Sequence, residues 1–178
     1  MSTVKVLIVD DDDVDRERLT RMLTAQNQDF YTEEADSVDS ALEALDQTSF
    51  DCILLDYRLG TYTGLDALRL IKARQQTFCA VIMITGLGDE SVAADAMRKG
   101  ATDYLIKGKL ERSQLLRSIS NAMARVELER RLHDMAHYDS LTHLAARSLV
   151  TDRLQQAINN ASRHSTLAAL AFMDLDNF

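Results

Sequence analysis

Residues 4–11, Val4-Lys5-Val6-Leu7-Ile8-Val9-Asp10-Asp11, run from an almost unbroken apolar segment straight into carboxylates. A strand that is apolar on both alternating faces must be covered on both sides, which is the pattern of a parallel sheet between helix layers. Beyond the acids, residues 14–26 carry Val14, Leu19, Met22 and Leu23 at helical spacing, and Asp12 or Asp13 is placed to cap that helix. The alternation then repeats. Residues 30–32 predict a short edge strand before Glu33 and Glu34, residues 38–45 a helix, residues 52–55 a strand ended by Asp56, and residues 64–73 a helix. Residues 80–84 read as a strand ended by Thr85, residues 91–98 as a helix followed by Gly100, and residues 102–106 as a strand ended by Lys107. Five β-α units joined by right-handed crossovers predict a doubly wound α/β sheet, whose functional groups gather past the carboxyl ends of the strands.

The composition agrees with this reading. The 178 residues are 46% apolar and 27% charged with six glycines, which excludes a disordered or collagenous chain. Acids exceed bases by 28 to 20, and the net charge of −8 speaks against direct nucleic-acid binding and against an anionic membrane as partner. No apolar run reaches the ~18–20 residues of a membrane span, and residues 1–30 lack a signal-peptide layout. Cys52 and Cys79 lack metal spacing and read as buried thiols of a reducing compartment, so a cytoplasmic location is expected. There is no proline, so turns must rely on Gly, Asn, Asp or Ser.

After Lys107 the pattern changes. Residues 111–136 predict one long helix without Gly or Pro, followed by a second helix around residues 149–161 and an apolar strand over residues 167–173. One strand and two helices cannot close a core, so the sequence is expected to end inside a second domain. In the long helix, Leu115, Ile119, Ala122 and Val126 suit the core of the first domain, whereas Leu128, Leu132 and Met135 suit a short dimer seam. His133 and His137 have metal spacing but no third ligand beside them, which favours a solvated helix face.

The chemistry sits at the strand ends. Asp10 and Asp11, Asp56, Thr85 and Lys107 follow four of the five predicted strands and would meet at one sheet edge. An acidic run after a strand is ordinarily a solvated loop or a cap, and a lone Asp, Thr or Lys means little. Their joint placement at successive strand ends is what carries the argument. Clustered carboxylates repel unless a cation neutralises them, and a hard divalent ion with oxygen ligands, Mg²⁺, fits. With an ammonium and a hydroxyl opposite, the set suits phosphoryl transfer to a carboxylate.

Four segments are similar to a response-regulator receiver (CheY-like) domain. They are Val6-Leu7-Ile8-Val9-Asp10-Asp11 with Arg16, Leu54-Leu55-Asp56-Tyr57-Arg58-Leu59 with Gly64, Ile82-Met83-Ile84-Thr85-Gly86, and Gly100-Ala101-Thr102-Asp103-Tyr104-Leu105-Ile106-Lys107. The resemblance covers residues 3–125 and implies a flavodoxin-like sheet of order 2-1-3-4-5. It implies a phosphoprotein of a two-component phosphorelay, with Asp56 taking a phosphoryl group from a sensor histidine kinase or phosphotransfer protein. Asp10, Asp11, Asp56 and the Arg58 backbone carbonyl would hold Mg²⁺, Thr85 and Lys107 would contact the phosphoryl oxygens, and Thr85 and Tyr104 would form the switch. Two positions depart from the family: Gly60 stands for its usual proline, and Lys107-Gly108 stands for a Lys-Pro whose peptide is cis.

Residues 138–178 resemble the start of a GGDEF (diguanylate cyclase) domain, through Tyr138-Asp139-Ser140-Leu141-Thr142 with Leu144 and through Phe172-Met173-Asp174-Leu175-Asp176 with Phe178. Asp174 matches a metal-ligand position of that family. Leu144-Ala145-Ala146-Arg147 departs from its Leu-Pro-Asn-Arg turn, and the GGDEF loop is not among the 178 residues. On this reading the stretch is not itself an enzyme, although a longer parent could be a cyclase. Residues 126–137 become a helical linker, the output is cyclic di-GMP signalling, and activation is expected to bring a homodimer. Two alternatives compete. Leu7-Ile8-Val9-Asp10-x-Asp12-x-Val14 matches the nucleophile loop of haloacid-dehalogenase-like phosphatases but leaves Asp56 unexplained. A receiver fold that signals without phosphorylation leaves the intact acidic set unexplained.

Overall fold

The computed structural model describes residues 3–25, 30–74, 78–86, 90–139, 141, 142, 144–164, 166–171 and 173. The first apolar run forms β1 (Val4–Val9), and Asp12 caps the helix behind it, α1 (Asp13–Thr24), by accepting from the Val14 N–H at 2.9 Å. There follow β2 (Phe30–Ala35), α2 (Val38–Gln47), β3 (Cys52–Asp56), the two-residue strands β4 (Arg58–Leu59) and β5 (Tyr62–Thr63), and α3 (Gly64–Arg74). Then come β6 (Ala80–Thr85), α4 (Glu90–Arg98), β7 (Asp103–Ile106), α5 (Arg112–His137) and α6 (Arg147–His164). Five strands pair in parallel in the order β2-β1-β3-β6-β7, which is the expected 2-1-3-4-5 when only the sheet strands are counted.

The period-2 alternation of each strand sorts its side chains into two cores. Leu7, Val9, Ile53, Leu55, Val81 and Met83 pack with Val38, Ala41, Leu68, Ile71 and Ala96 of α2, α3 and α4. Val6, Ile8, Leu54, Ile82 and Ile84 pack on the other face with Leu19, Leu23, Leu115, Ile119 and Ala122 of α1 and α5. Burying one such Leu or Ile contributes about 1.5–3 kcal/mol, which is why near-continuous apolar strands settle in the middle of the sheet. Cys52 and Cys79 are buried and form no disulfide.

Several expectations need correction. β2 does not stop before Glu33 and Glu34 but runs through both to Ala35. At the sheet edge neither glutamate is buried, and the Glu34 carboxylate is held by Arg16 Nε at 3.3 Å and Thr20 Oγ1 at 2.8 Å. Val14, read as part of the apolar face of α1, is 68% exposed, because only Leu19 and Leu23 of that helix are buried. The strand expected over residues 167–173 is absent among the described residues there, which carry no regular structure. No described strand takes up its N–H and C=O groups, and Leu167 and Met173 are exposed. The β4–β5 hairpin had no periodic signal to betray it.

The chain divides into two compact units, Met1–Arg130 and Arg131–Phe178. In the second, a Tyr138–Ala145 bridge closes a short loop, and Asp139 Oδ1 accepts from the N–H groups of Leu141 at 3.2 Å and Thr142 at 2.9 Å. The rings of His133 and His137 meet at 4.3 Å between centroids with their planes tilted by 56°, and the buried His137 Nδ1 departs from the solvated face expected of this pair. No described peptide bond is cis, Lys107-Gly108 included. Among the described residues, no helix is long and apolar enough to cross a membrane.

Gly64 ties the hairpin to the sheet. Its N–H donates to the Tyr57 carbonyl at 2.6 Å, and a Cβ there would lie 2.4 Å from the Asp56 carbonyl oxygen and 2.7 Å from Tyr57 Cα. Because those neighbours are backbone, Gly64→Ala is expected to lower the unfolding free energy by about 1–3 kcal/mol in urea denaturation. An unchanged midpoint would contradict this packing.

Candidate functional site

The sheet delivers its polar residues to one edge. Asp10 follows β1, Asp56 closes β3, Thr85 closes β6 and Lys107 follows β7. Together with Asp11, Arg58 and Asp15 they line an open cleft of about 390 Å³. Asp10, Asp56 and Thr85 are buried, whereas Asp11 is exposed.

Lys107 is the hub of this cleft. Its ammonium lies 2.6 Å from Asp10 Oδ2, 2.8 Å from Asp56 Oδ1 and 2.8 Å from Asp15 Oδ2. Backbone donors meet three further carboxylate oxygens. Asp10 Oδ1 accepts from the Asp12 N–H at 3.0 Å, Asp56 Oδ2 from the Arg58 N–H at 2.6 Å, and Asp11 Oδ2 from the Gly60 N–H at 3.2 Å. Gly60 reaches that position with φ at +58°, in the left-handed region that glycine enters without strain. Arg16 fixes the turn from outside by donating to the Asp10 carbonyl at 2.8 Å. Thr85 Oγ1 donates to the Gly86 carbonyl at 3.0 Å. Tyr104 stands half-buried on the edge strand β7, packed against the core shared with α4.

Sequence reading singled out every one of these groups except Asp15. Asp15 sits in the first turn of α1, where an acid reads as a favourable partner of the helix dipole, so nothing in the spacing marked it. Asp174, the metal-ligand match of the second half, lies outside the described residues.

The charges in the cleft oppose one another. Burial pushes the Asp10 and Asp56 carboxyls above the ordinary aspartate value, although the Lys107 ammonium pulls both down. Burial also disfavours the charge on Lys107, but the carboxylates of Asp10, Asp15 and Asp56 outweigh it and hold its pKa above the usual lysine value. Oxygens of Asp10, Asp11 and Asp56 lie within 4.8 Å of one another, a hard-donor set that suits a divalent cation such as Mg²⁺. A buried carboxylate, a neutralising ammonium, a hydroxyl and a candidate cation site are groups that phosphoryl transfer can use.

The family model described as response regulator receiver domain matches residues 6–120, and that for the diguanylate cyclase GGDEF domain matches residues 136–178. The chain belongs to the response regulator receiver family. It is 34% identical over 122 residues to the transcriptional regulatory protein FixJ of Bradyrhizobium diazoefficiens, a match that covers 68% of this chain and 58% of that protein. It is 33% identical over 113 residues to the transcriptional regulatory protein SrrA of Staphylococcus aureus, covering 64% of this chain and 45% of that one. The chain thus spans about half the length of these curated relatives. A crystal structure of a response regulator receiver domain protein from Clostridium thermocellum superposes with a TM-score of 0.63 at 30% identity, over 71% of this chain and 98% of that one. NtrX from Brucella abortus superposes with a TM-score of 0.69 at 27% identity, over 91% of this chain and 34% of that one.

The raised pKa of Asp56 sets the sign of a pH effect. The folded state holds the Asp56 proton more tightly than the unfolded state does, so its ionisation destabilises the fold above the folded pKa. Stability is regained as pH falls through that value. In metal-free buffer at pH about 7, Asp56→Asn is therefore expected to raise the urea midpoint, and the gain should shrink as pH falls toward the carboxylate range. A lower midpoint at neutral pH would contradict this balance.

Proposed function

We propose that this protein is a phosphoacceptor response regulator whose output is cyclic di-GMP signalling, working in the cytoplasm. On this reading residues 3–125 form the receiver, residues 126–137 a helical linker and residues 138–178 a GGDEF-type segment. The observation that carries it is the contact of a buried carboxylate at a strand end, Asp56, with a lysine that also neutralises Asp10.

In the reaction the Asp56 carboxylate attacks the phosphorus of a phosphohistidine donor. The P–N bond breaks with its electron pair going to the imidazole, which takes a proton from water, and a P–O bond to Asp56 forms. Charge builds on the transferring oxygens, where the Lys107 ammonium and the Thr85 hydroxyl can receive it. The Thr85 hydroxyl must first leave the Gly86 carbonyl, and Tyr104 would follow that movement as the switch. Mg²⁺, held by Asp10, Asp11, Asp56 and the Arg58 carbonyl, would neutralise the facing oxygens. Leu128, Leu132 and Met135, exposed along α5, would pair two activated copies.

The phosphatase alternative uses Asp10 as nucleophile and leaves Asp56, buried against the same lysine, without a role. The two readings separate in one experiment. Phosphoramidate with Mg²⁺ should add a single phosphoryl mass to the protein, and Asp56→Asn should take up none. Equal labelling of that variant would sink the assignment.

A further inference from the structure

Helix α1 holds Lys107 twice. Asp15 Oδ2 stands 2.8 Å from the ammonium, as near as Asp56 Oδ1 at 2.8 Å. One turn on, Arg18 donates to the carbonyls of Lys107 at 3.3 Å and Leu110 at 3.2 Å, anchoring the segment that carries the lysine. Asp15 lies outside the set of carboxylates whose oxygens could share a cation, so its partner is the lysine rather than a metal.

An ammonium has three N–H donors, and here three carboxylates face it. Phosphorylation removes the charge of the Asp56 carboxylate and sets phosphoryl oxygens in its place, and these must draw Lys107 against the pull of Asp10 and Asp15. Asp10 is buried at a side-chain exposure of 2%, and water cannot readily replace the lysine beside it. Asp15 is 28% exposed and can be rehydrated, which makes it the partner to be displaced.

We propose that Asp15 is a positioning residue that competes with phosphorylated Asp56 for the Lys107 ammonium and thereby restrains phosphorylation. The proposal rests on Asp56 being the phosphoacceptor and deepens that reading by naming a carboxylate that tunes it. The restraint is local: removing the charge of Asp15 frees one donor of Lys107 and leaves the nucleophile and the candidate cation ligands in place.

The test uses the full chain at saturating Mg²⁺. Asp15→Asn and Asp15→Ala are each expected to bind beryllofluoride, a phosphoryl mimic, about two- to five-fold more tightly than wild type. Their phosphorylation by phosphoramidate should be faster by a similar factor, and Asp15→Glu should behave nearly as wild type. Phosphoramidate rates, readable over hours, should be the same in Lys107→Ala and in Lys107→Ala with Asp15→Asn, because Asp15 acts through the lysine. A merely structural role of Asp15 would shift thermal stability without this dependence on Lys107. Unchanged affinity and rate in both single variants, or a gain that persists without Lys107, would overturn the proposal while leaving Asp56 as phosphoacceptor. A wild-type chain that takes up neither beryllofluoride nor phosphoryl would overturn the phosphoacceptor reading and this one together.

Discussion

The arrangement depends on one constraint: carboxylates gathered at a sheet edge and shielded from water cannot stay charged without a cation. Asp10 and Asp56 are buried, and the Lys107 ammonium at 2.6 and 2.8 Å is what makes their ionisation tolerable. Without the lysine, burial would push both carboxyls further above the ordinary aspartate value unless a divalent ion took its place. Lys107 is itself recruited from the far side of the sheet by topology. β7 is the last strand of the order β2-β1-β3-β6-β7, so the lysine must reach across the mouth of β6 to the acids behind β1 and β3.

That reach explains how much of the surroundings is devoted to placing backbone. Arg16 clamps the Asp10 carbonyl, Arg18 the carbonyls of Lys107 and Leu110, and Arg112 Nε the Met22 carbonyl at 2.8 Å. Through Arg112 the first turn of α5 is pinned to the end of α1. Ser118, buried on the same helix, donates to the Asp103 carboxylate at the start of β7. The strand carrying Tyr104 and the helix leading toward the second unit are thus joined by hydrogen bonds as well as by apolar packing.

The sheet was legible because its strands are apolar on both faces, and the site because topology turns strand ends into neighbours. Asp10, Asp11, Asp56, Thr85 and Lys107 could be read as one cluster before any distance was known. What escaped reading lacked a period. The β4–β5 hairpin is two residues a side and is held by the Gly64 N–H and the Gly60 turn rather than by alternating side chains. Asp15 was hidden by an ordinary use of acids in a first helical turn, since its partner is 92 residues away. The opposite error occurred at residues 167–173, where an apolar run was read as a strand although strand formation needs a paired neighbour and none is described beside it.

If the carboxylates are held by competition between Lys107 and a divalent cation, removing the lysine must not harm the cation site. The direct measurement is Mg²⁺ titration of the wild-type chain and of Lys107→Ala, with tyrosine fluorescence or calorimetry as the readout. With one positive charge gone from beside Asp10 and Asp56, Mg²⁺ affinity is predicted to hold or rise. A large loss of affinity in Lys107→Ala would show that the lysine builds the cation site instead of balancing it, and would contradict the account.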